Sequence, residues 1–291
     1  MPDVRGFLLG APKSGTTWLA GALEQHPGIC VSEPKEPNVV ATHKGTFGRD
    51  TRLPDWERYA SCFKGPGLKV DCSVHALACP VAPNRMFEWW PDARFVVCLR
   101  EPVSRTISHW NMVLDTGEDS RHQTDWSVFR EAWGDDRLRL DSLYGNSLKR
   151  WFDLFPAENF LLIDSILMRR EPGAVLRMIE GHLGLEPHNF DLGAVTNSNV
   201  ASDRRPLTLF GEAFKVIVSL IPRILKDPLV RSLQGRNVNI YSWPILSAER
   251  KERGLPNSSE TENMRDEIRD DLEVLHTVTG FDVSEWLSGL Q

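Results

Sequence analysis

The segment FLLGAPKSGTTWLAGALEQHP, residues 7–27, constrains the fold more than any other part of the sequence. It begins with a short apolar run, passes through a loop containing Gly10, Lys13 and Gly15, and ends in a stretch with helical spacing. A loop between a strand and a helix can bind an anion, because free backbone N–H groups and the positive end of the helix dipole point at it. We therefore predict a strand, an anion-binding loop and a helix.

The loop carries one lysine charge and three hydroxyl groups in addition to its backbone N–H groups. Gly10 and Gly15 have the spacing of the two glycines in the nucleoside-triphosphate loop G-x-x-x-x-G-K-[ST], but Thr16 stands in the position of its lysine. No strand ends in two adjacent acidic residues that would hold magnesium, so the pattern speaks against a triphosphatase. The residues predicted to contact the anion are Pro12, Lys13, Ser14, Gly15, Thr16 and Thr17.

Short apolar runs alternate with stretches of helical spacing along the chain. Run 94–99 is apolar almost throughout, as a strand covered on both faces of a sheet requires. The pattern predicts an α/β fold of the P-loop-like, three-layer type, with a mainly parallel sheet and helices on both faces. We expect a single domain over residues 1–291, with polar excursions at 45–64 and 115–126. The predicted strands are 7–9, 29–32, 68–70, 94–99 and 159–163, and the predicted helices are 16–25, 102–114, 143–155 and 173–183.

Composition and net charge limit the kinds of molecule that the protein is expected to bind. A net charge of −6 argues against nucleic-acid binding, so an anion site must be a local feature. The five cysteines include no C-x-x-C pair and are predicted to be buried reduced thiols. The N-terminus lacks a secretory pattern, which predicts a cytoplasmic protein. The apolar stretch 209–230 contains five charged residues and two prolines, so we expect an amphipathic helix on the core, with contact to a membrane surface as the alternative.

A second candidate anion site lies in RFVVCLREPVSRTISHW, residues 94–110. Arg100 follows a predicted strand, and open parallel sheets bind their ligands at this carboxyl edge. Ser108 comes about two helical turns later, within reach of a ligand that lies beside the helix. Arg105 is expected either to join this site or to pair with Glu101 on the surface. One ligand with phosphate groups at two places would explain both sites.

Together, PKSGTTWL and LREPVSRTISHW resemble the sulfotransferases that use 3′-phosphoadenosine 5′-phosphosulfate (PAPS), with closest likeness to bacterial and carbohydrate (heparan sulfate) members. The stretches 144–164 and 272–287 are also similar to bacterial members. The resemblance implies that the first loop holds the 5′-phosphosulfate, while Arg100 and Ser108 hold the 3′-phosphate. It implies in-line transfer of a sulfuryl group, without a metal, to a small-molecule or glycan acceptor. Lys13 would stabilise the bridging oxygen as the bond breaks.

The acceptor hydroxyl, or in second place an amine, needs a general base. Glu36, in the sequence KEP, resembles the catalytic glutamate of carbohydrate sulfotransferases, and Lys35 is expected to position the acceptor or the sulfate. His75 is the rival, because cytosolic sulfotransferases use a histidine after the third strand. The residues around His75 match neither pattern, so Glu36 is the predicted base and His75 the alternative.

Two other functions remain open at this point. The first is a small-molecule kinase of the P-loop class, which would consume ATP with magnesium. The second is a non-catalytic nucleotide-binding protein on the same scaffold. Neither explains the pair Arg100 and Ser108, so the sulfotransferase is preferred. The sequence assigns no acceptor residue.

Overall fold

The computed structural model describes residues 1–195 and 256–290, together with positions 208, 210, 211, 214, 218 and 245. Within the stretch 209–230, only four of these positions are described. The predicted amphipathic helix and membrane contact of this stretch therefore lie outside the described residues. No helix in the described part of the chain is long and apolar enough to cross a membrane.

A five-stranded sheet lies at the centre of the described structure, in the order β2-β5-β1-β6-β7, and all neighbouring strands are parallel. This confirms the predicted fold class. Two further strands, β3 and β4, pair antiparallel as a hairpin. The strands are β1 (Gly6–Gly10), β2 (Ile29–Val31), β3 (His43–Lys44), β4 (Gly48–Arg49), β5 (Leu68–Asp71), β6 (Arg94–Leu99) and β7 (Phe160–Asp164).

The helices include all four that the sequence predicts, and their ends agree with the predicted ones to within three residues. The remaining helices, among them α3 and the long C-terminal helix, were not predicted. The helices are α1 (Thr16–Leu23), α2 (Trp56–Ala60), α3 (Ala82–Trp89), α4 (Pro102–Thr116), α5 (Glu118–Arg121), α6 (Phe129–Gly134), α7 (Asp136–Arg139), α8 (Tyr144–Phe152), α9 (Ser165–Arg170), α10 (Pro172–Leu183), α11 (Ser258–Thr279) and α12 (Ser284–Ser288).

Successive side chains of a strand point to opposite faces of the sheet, and both faces are covered here. Leu8 belongs to a buried cluster that includes residues of α1 and α10. Its neighbour Phe7 instead contacts Trp90, which follows α3, with ring centroids 5.3 Å apart. On the same side, Phe95 contacts Trp151 of α8, also at 5.3 Å. The aromatic layer and the aliphatic layer together bury the sheet.

The chain divides into two compact units. One comprises Met1–Trp110, Ser127–Ser198 and Pro256–Gln291, and contains the whole sheet. The other comprises Asn111–Trp126 and Asn199–Leu255. Two compact units can belong to one domain or to two, so the single-domain expectation stays a prediction.

All five cysteines are buried and unpaired, which confirms the prediction of buried thiols. Burial raises the pKa of the thiols of Cys72 and Cys98 to about 12. These thiols are therefore inert packing groups at neutral pH.

Candidate active site

The predicted anion loop lies between β1 and α1 and is tied to the neighbouring strand. The N–H of Ala11 donates to the carbonyl of Cys98 in β6 at 2.7 Å. Gly15 has a φ of +85°, in the left-handed region that favours glycine. A Cβ at Gly15 would also overlap the methyl group of Met168 in α9. The backbone conformation therefore disfavours a side chain at this position, and Met168 would have to move to admit one.

The N-terminus of α1 has the features of an anion site. No side chain caps it, and its first turn carries no acidic residue. The hydroxyl of Ser14 is buried, with the residue 1% exposed, and makes no hydrogen bond in the described structure. It lies near enough to the Tyr144 hydroxyl to lower the pKa of that group, although burial raises it overall. A buried hydroxyl without a partner at an uncapped helix end fits a bound anion.

Arg100 joins the loop at the carboxyl end of β6, as the sequence predicts. Its Nη1 donates to the carbonyl oxygen of Lys13 at 3.3 Å. The carbonyl of Arg100 in turn accepts a hydrogen bond from the Tyr144 hydroxyl at 2.9 Å. Burial, and next the nearby charge of Arg169, lower the pKa of Arg100. The two segments predicted to hold one ligand are therefore joined at the same edge of the sheet.

Helix α4 places the other residues of the second segment. Glu101 accepts hydrogen bonds from two N–H groups of the first turn, at 2.7 Å each, and so caps the helix. Ser108 is half-buried and makes no hydrogen bond to the loop among the described residues. Its assignment to the 3′-phosphate stays a prediction.

Arg105 does not occupy the place that the sequence predicts. It is fully buried, donates to the Ser142 hydroxyl at 2.8 Å, and has the carboxylate of Asp141 at 3.7 Å from its Nη1. It therefore neither pairs with Glu101 nor reaches the anion site. Because Asp141 and Ser142 lie some 36 residues from Arg105 along the chain, local spacing gave no sign that Arg105 is buried.

Glu36 and Lys35 form an ion pair at the same sheet edge. The Lys35 ammonium lies 2.8 Å from the Glu36 carboxylate and 3.5 Å from the carbonyl oxygen of Cys72, the residue after β5. The charge of Lys35 also acts on the thiol of Cys98, whose carbonyl accepts the loop N–H. Both side chains keep partial exposure, 24% for Lys35 and 32% for Glu36. Glu36 therefore keeps part of its carboxylate side chain exposed to solvent.

His75 lies in a different environment. It is 8% exposed on a 3₁₀ turn after β5, next to a group of basic side chains. Burial and the charge of Arg49, together with His75 and Arg150, lower the pKa of His43 to about 4. His43 is therefore neutral at physiological pH. Arg150 donates to the carbonyl of Ala78 at 3.2 Å, and burial lowers its pKa.

A sequence model described as "Sulfotransferase domain" matches residues 3–197, which is more than half of the chain. The chain belongs to this family. Heparan sulfate glucosamine 3-O-sulfotransferase 5 of Homo sapiens is 24% identical over 192 residues, covering 63% of this chain and 54% of that protein. Bifunctional heparan sulfate N-deacetylase/N-sulfotransferase 3 of Mus musculus is 25% identical over 197 residues, covering 62% and 22%. The chain thus spans about half the length, or less, of these relatives.

Solved structures agree on the fold of the sulfotransferase domain. A sulfotransferase from Alicyclobacillus acidocaldarius superposes with a TM-score of 0.64 at 19% identity, covering 98% of this chain and 99% of the other. Mouse sulfotransferase SULT7A1, complexed with PAP, gives a TM-score of 0.52 at 16% identity, covering 100% and 90%. The family resemblance seen in the two motifs is therefore confirmed.

Sequence reasoning missed two polar residues of α9 that follow β7, the strand next to β6 in the sheet. Ser165 is buried, 4% exposed, and its hydroxyl has no partner in the described structure. Arg169 follows one helical turn later and donates from Nε to the carbonyl of Ser165 at 3.2 Å. The available signal was their position just after the last predicted strand, at the same sheet edge as Arg100.

The described ranges contain no group of three or more histidine, cysteine, aspartate or glutamate side chains that could hold a metal ion. The absence of a metal from the reaction, like the roles assigned to single residues, stays a prediction.

Proposed function

We propose that this chain transfers the sulfuryl group of PAPS to a hydroxyl, or in second place an amine, of a sugar, glycolipid or natural product. The observation that carries the proposal is the unpartnered, buried Ser14 hydroxyl at the uncapped N-terminus of α1, in a member of the sulfotransferase domain family. Lys13 precedes Ser14 in the loop, and Arg100 donates to the Lys13 carbonyl oxygen at 3.3 Å. A ligand with negative charge at two places suits this arrangement.

The residues present fit the donor. The N–H groups of the first turn of α1, with the hydroxyls of Ser14 and Thr17, would hold its 5′-phosphosulfate end. Arg100 and Ser108 would hold its 3′-phosphate. The donor, when bound, supplies the sulfuryl group and leaves as adenosine 3′,5′-bisphosphate (PAP). Lys13 would keep a positive charge beside the bridging oxygen, where negative charge grows as the sulfur–oxygen bond breaks.

Glu36 would act as the general base. Its carboxylate would take the proton of the acceptor hydroxyl while the acceptor oxygen forms its bond to sulfur. Three features support this choice: its partial exposure, its position near the end of β5, and the ion pair to Lys35 that fixes its orientation. His75 is the second candidate, since it lies beside the neutral His43 in a polar environment.

The acceptor class rests on the relatives and on the choice of base. Both relatives named above are sulfotransferases of heparan sulfate, which supports a glycan acceptor. Arg49 and Arg150, near His43, would meet the polar and acidic groups of such an acceptor. A cytoplasmic location also belongs to the proposal.

The donor half of the proposal is tested by binding. Isothermal titration of the purified chain with PAP should show one site, and Lys13→Ala and Arg100→Ala should each weaken it about tenfold or more, because each removes a charge-assisted contact. Transfer of ³⁵S from labelled PAPS to glucosamine oligosaccharides, with 4-nitrophenol as a comparison, tests the reaction. Binding of ATP with magnesium and no binding of PAP would overturn the proposal in favour of a kinase.

The base is tested by a matched pair of substitutions. Glu36→Gln should lower the rate of transfer by about 10²–10⁴ while PAP affinity stays unchanged. Glu33→Gln is the control, because Glu33 is an exposed glutamate of the same loop, paired with Lys64 at 3.0 Å. A fully active Glu36→Gln variant together with an inactive His75→Ala variant would move the role to His75.

A further inference from the structure

The register of the sheet brings the end of β7 next to the end of β6. Leu99 pairs with Asp164 in parallel register, so Arg100 and Ser165 are the next residues of adjacent strands. Neighbouring strands lie about 4.8 Å apart. Residues that follow Asp164 therefore begin at the same sheet edge as Arg100.

Helix α9 begins there and turns toward the anion loop. Met168 packs its methyl group against Gly15, which puts the middle of α9 on the loop. Arg169, the next residue, donates from Nε to the carbonyl of Ser165 at 3.2 Å. This bond pulls the long side chain back along the helix toward the sheet edge and leaves both terminal nitrogens of the guanidinium group available.

Arg169 is near enough to Arg100 for its charge to act on that group, and neither guanidinium group has an ion-pair partner in the described residues. In the part of the chain that the structure describes, no carboxylate lies within 4 Å of Arg100 or Arg169. Of the acidic residues nearby in the sequence, Glu101 caps α4 and Asp164 accepts from the N–H of Ile166 at 2.6 Å, at the start of α9. Glu171, two residues after Arg169, forms no ion pair with it in the described structure. Arg169 is, after burial, the largest influence lowering the pKa of Arg100.

Two like charges held this way cost free energy in the absence of an anion and favour binding of one. A planar guanidinium group binds phosphate through two parallel hydrogen bonds, and two such groups suit a doubly charged phosphate. The buried hydroxyl of Ser165, which has no partner, lies at the same place. Arg100, Arg169 and Ser165 together offer an anion more hydrogen-bond donors than Arg100 and Ser108 alone would offer.

We propose that Arg169 is a second guanidinium ligand of the donor's 3′-phosphate, beside Arg100, and that this pair selects nucleotides that carry a 3′-phosphate over those that lack it. The inference rests on the proposed function and adds to it a specificity residue contributed by α9.

The test compares PAP with adenosine 5′-monophosphate, which lacks the 3′-phosphate, by isothermal titration. Arg169→Ala should weaken PAP binding about tenfold or more and change the affinity for the monophosphate less than about twofold. Arg169→Lys, which keeps the charge, should restore part of the loss. Arg170→Ala is the matched control, because it removes the same charge from the next, exposed residue of α9 and should change neither affinity.

The outcomes separate this inference from the proposed function. If the wild type binds PAP but Arg169→Ala behaves like Arg170→Ala, the inference is wrong and the proposed function stands. An equal loss for both nucleotides would also contradict it, since Arg169 would then support the loop and not the 3′-phosphate. If the wild type does not bind PAP, both proposals fail. Unchanged melting temperatures of the ligand-free variants exclude a loss of folding.

Discussion

The buried carboxylate of Asp271 links the C-terminal helix α11 to the site. One of its oxygens accepts from the N–H of Gly145 at 2.7 Å, and the other accepts from the N–H and the side-chain amide of Asn146 at 2.8 and 2.7 Å. These N–H groups belong to the first turn of α8, where helical partners are lacking and no local side chain provides a cap. Asp271 therefore caps the helix that carries Tyr144 to Arg100.

Burial raises the pKa of Asp271 from 3.8 to about 6. A raised pKa means that the folded protein binds this proton more tightly than the unfolded chain. The stabilisation is therefore fully present below pH 3.8 and is lost as the pH rises through about 6. The difference between the two pKa values corresponds to about 3 kcal/mol, of which about 1 kcal/mol falls between pH 5 and 7.

Asp271→Asn removes this titration and isolates its contribution. Urea unfolding followed by circular dichroism at pH 5, 6 and 7 gives the free energy of unfolding of both proteins. The free energy of unfolding of the wild type minus that of the variant should decrease by about 1 kcal/mol from pH 5 to pH 7. Asp270→Asn, at the exposed neighbouring residue, controls for the loss of one negative charge from α11. A difference for Asp271→Asn that stays flat within about 0.3 kcal/mol would refute the reasoning.

Three further substitutions test the packing around the site, and a fourth, Gly173→Ala, serves as a control. Gly145→Ala should destabilise the fold by about 3 kcal/mol in urea unfolding, because the added Cβ would overlap backbone atoms of α11. Gly173→Ala, which has open space around it, should be neutral or stabilising by up to about 1 kcal/mol. Gly15→Ala should cost about 1–2 kcal/mol, because of the left-handed φ, and weaken PAP binding by titration. Tyr144→Phe leaves the carbonyl of Arg100 without its donor, so stability should fall by about 1–2 kcal/mol and PAP affinity should fall with it.

The fold was predictable where the signal is local. Strand β6 begins and ends at the predicted residues, because a buried run between polar neighbours defines it. Helix α11 was missed although its buried residues Met264, Ile268, Leu272 and Leu275 follow helical spacing. Its start also carries a capping box, in which Asn257 and Glu260 each accept the other's N–H. The order of the strands in the sheet depends on pairing between distant segments and has no local signal.

The positions of single side chains were predictable to a smaller degree. Arg105 and Arg100 look alike in the sequence, five residues apart beside one predicted strand. Arg100 stays at the sheet edge because it ends β6, whereas Arg105 lies on the face of α4 that is covered by Asp141 and Ser142. Which face of a helix is covered depends on a partner segment far away in the chain. The sequence therefore indicated the chemistry of both arginines and the location of only one.

The donor end of the site was more predictable from the sequence than the acceptor end, because the acceptor end depends on segments that are distant along the chain. The loop residues predicted to contact the anion are consecutive, and Arg100 follows directly from the strand rule, so a short window of sequence contains both. Arg169 is different, because its placement depends on the β6–β7 register and on the bond back to the Ser165 carbonyl. The side chains around His43 likewise come from the β3–β4 hairpin and α8, which are distant in sequence. Differences in acceptor between sulfotransferase domains should therefore lie in these convergent residues, while the loop keeps its pattern.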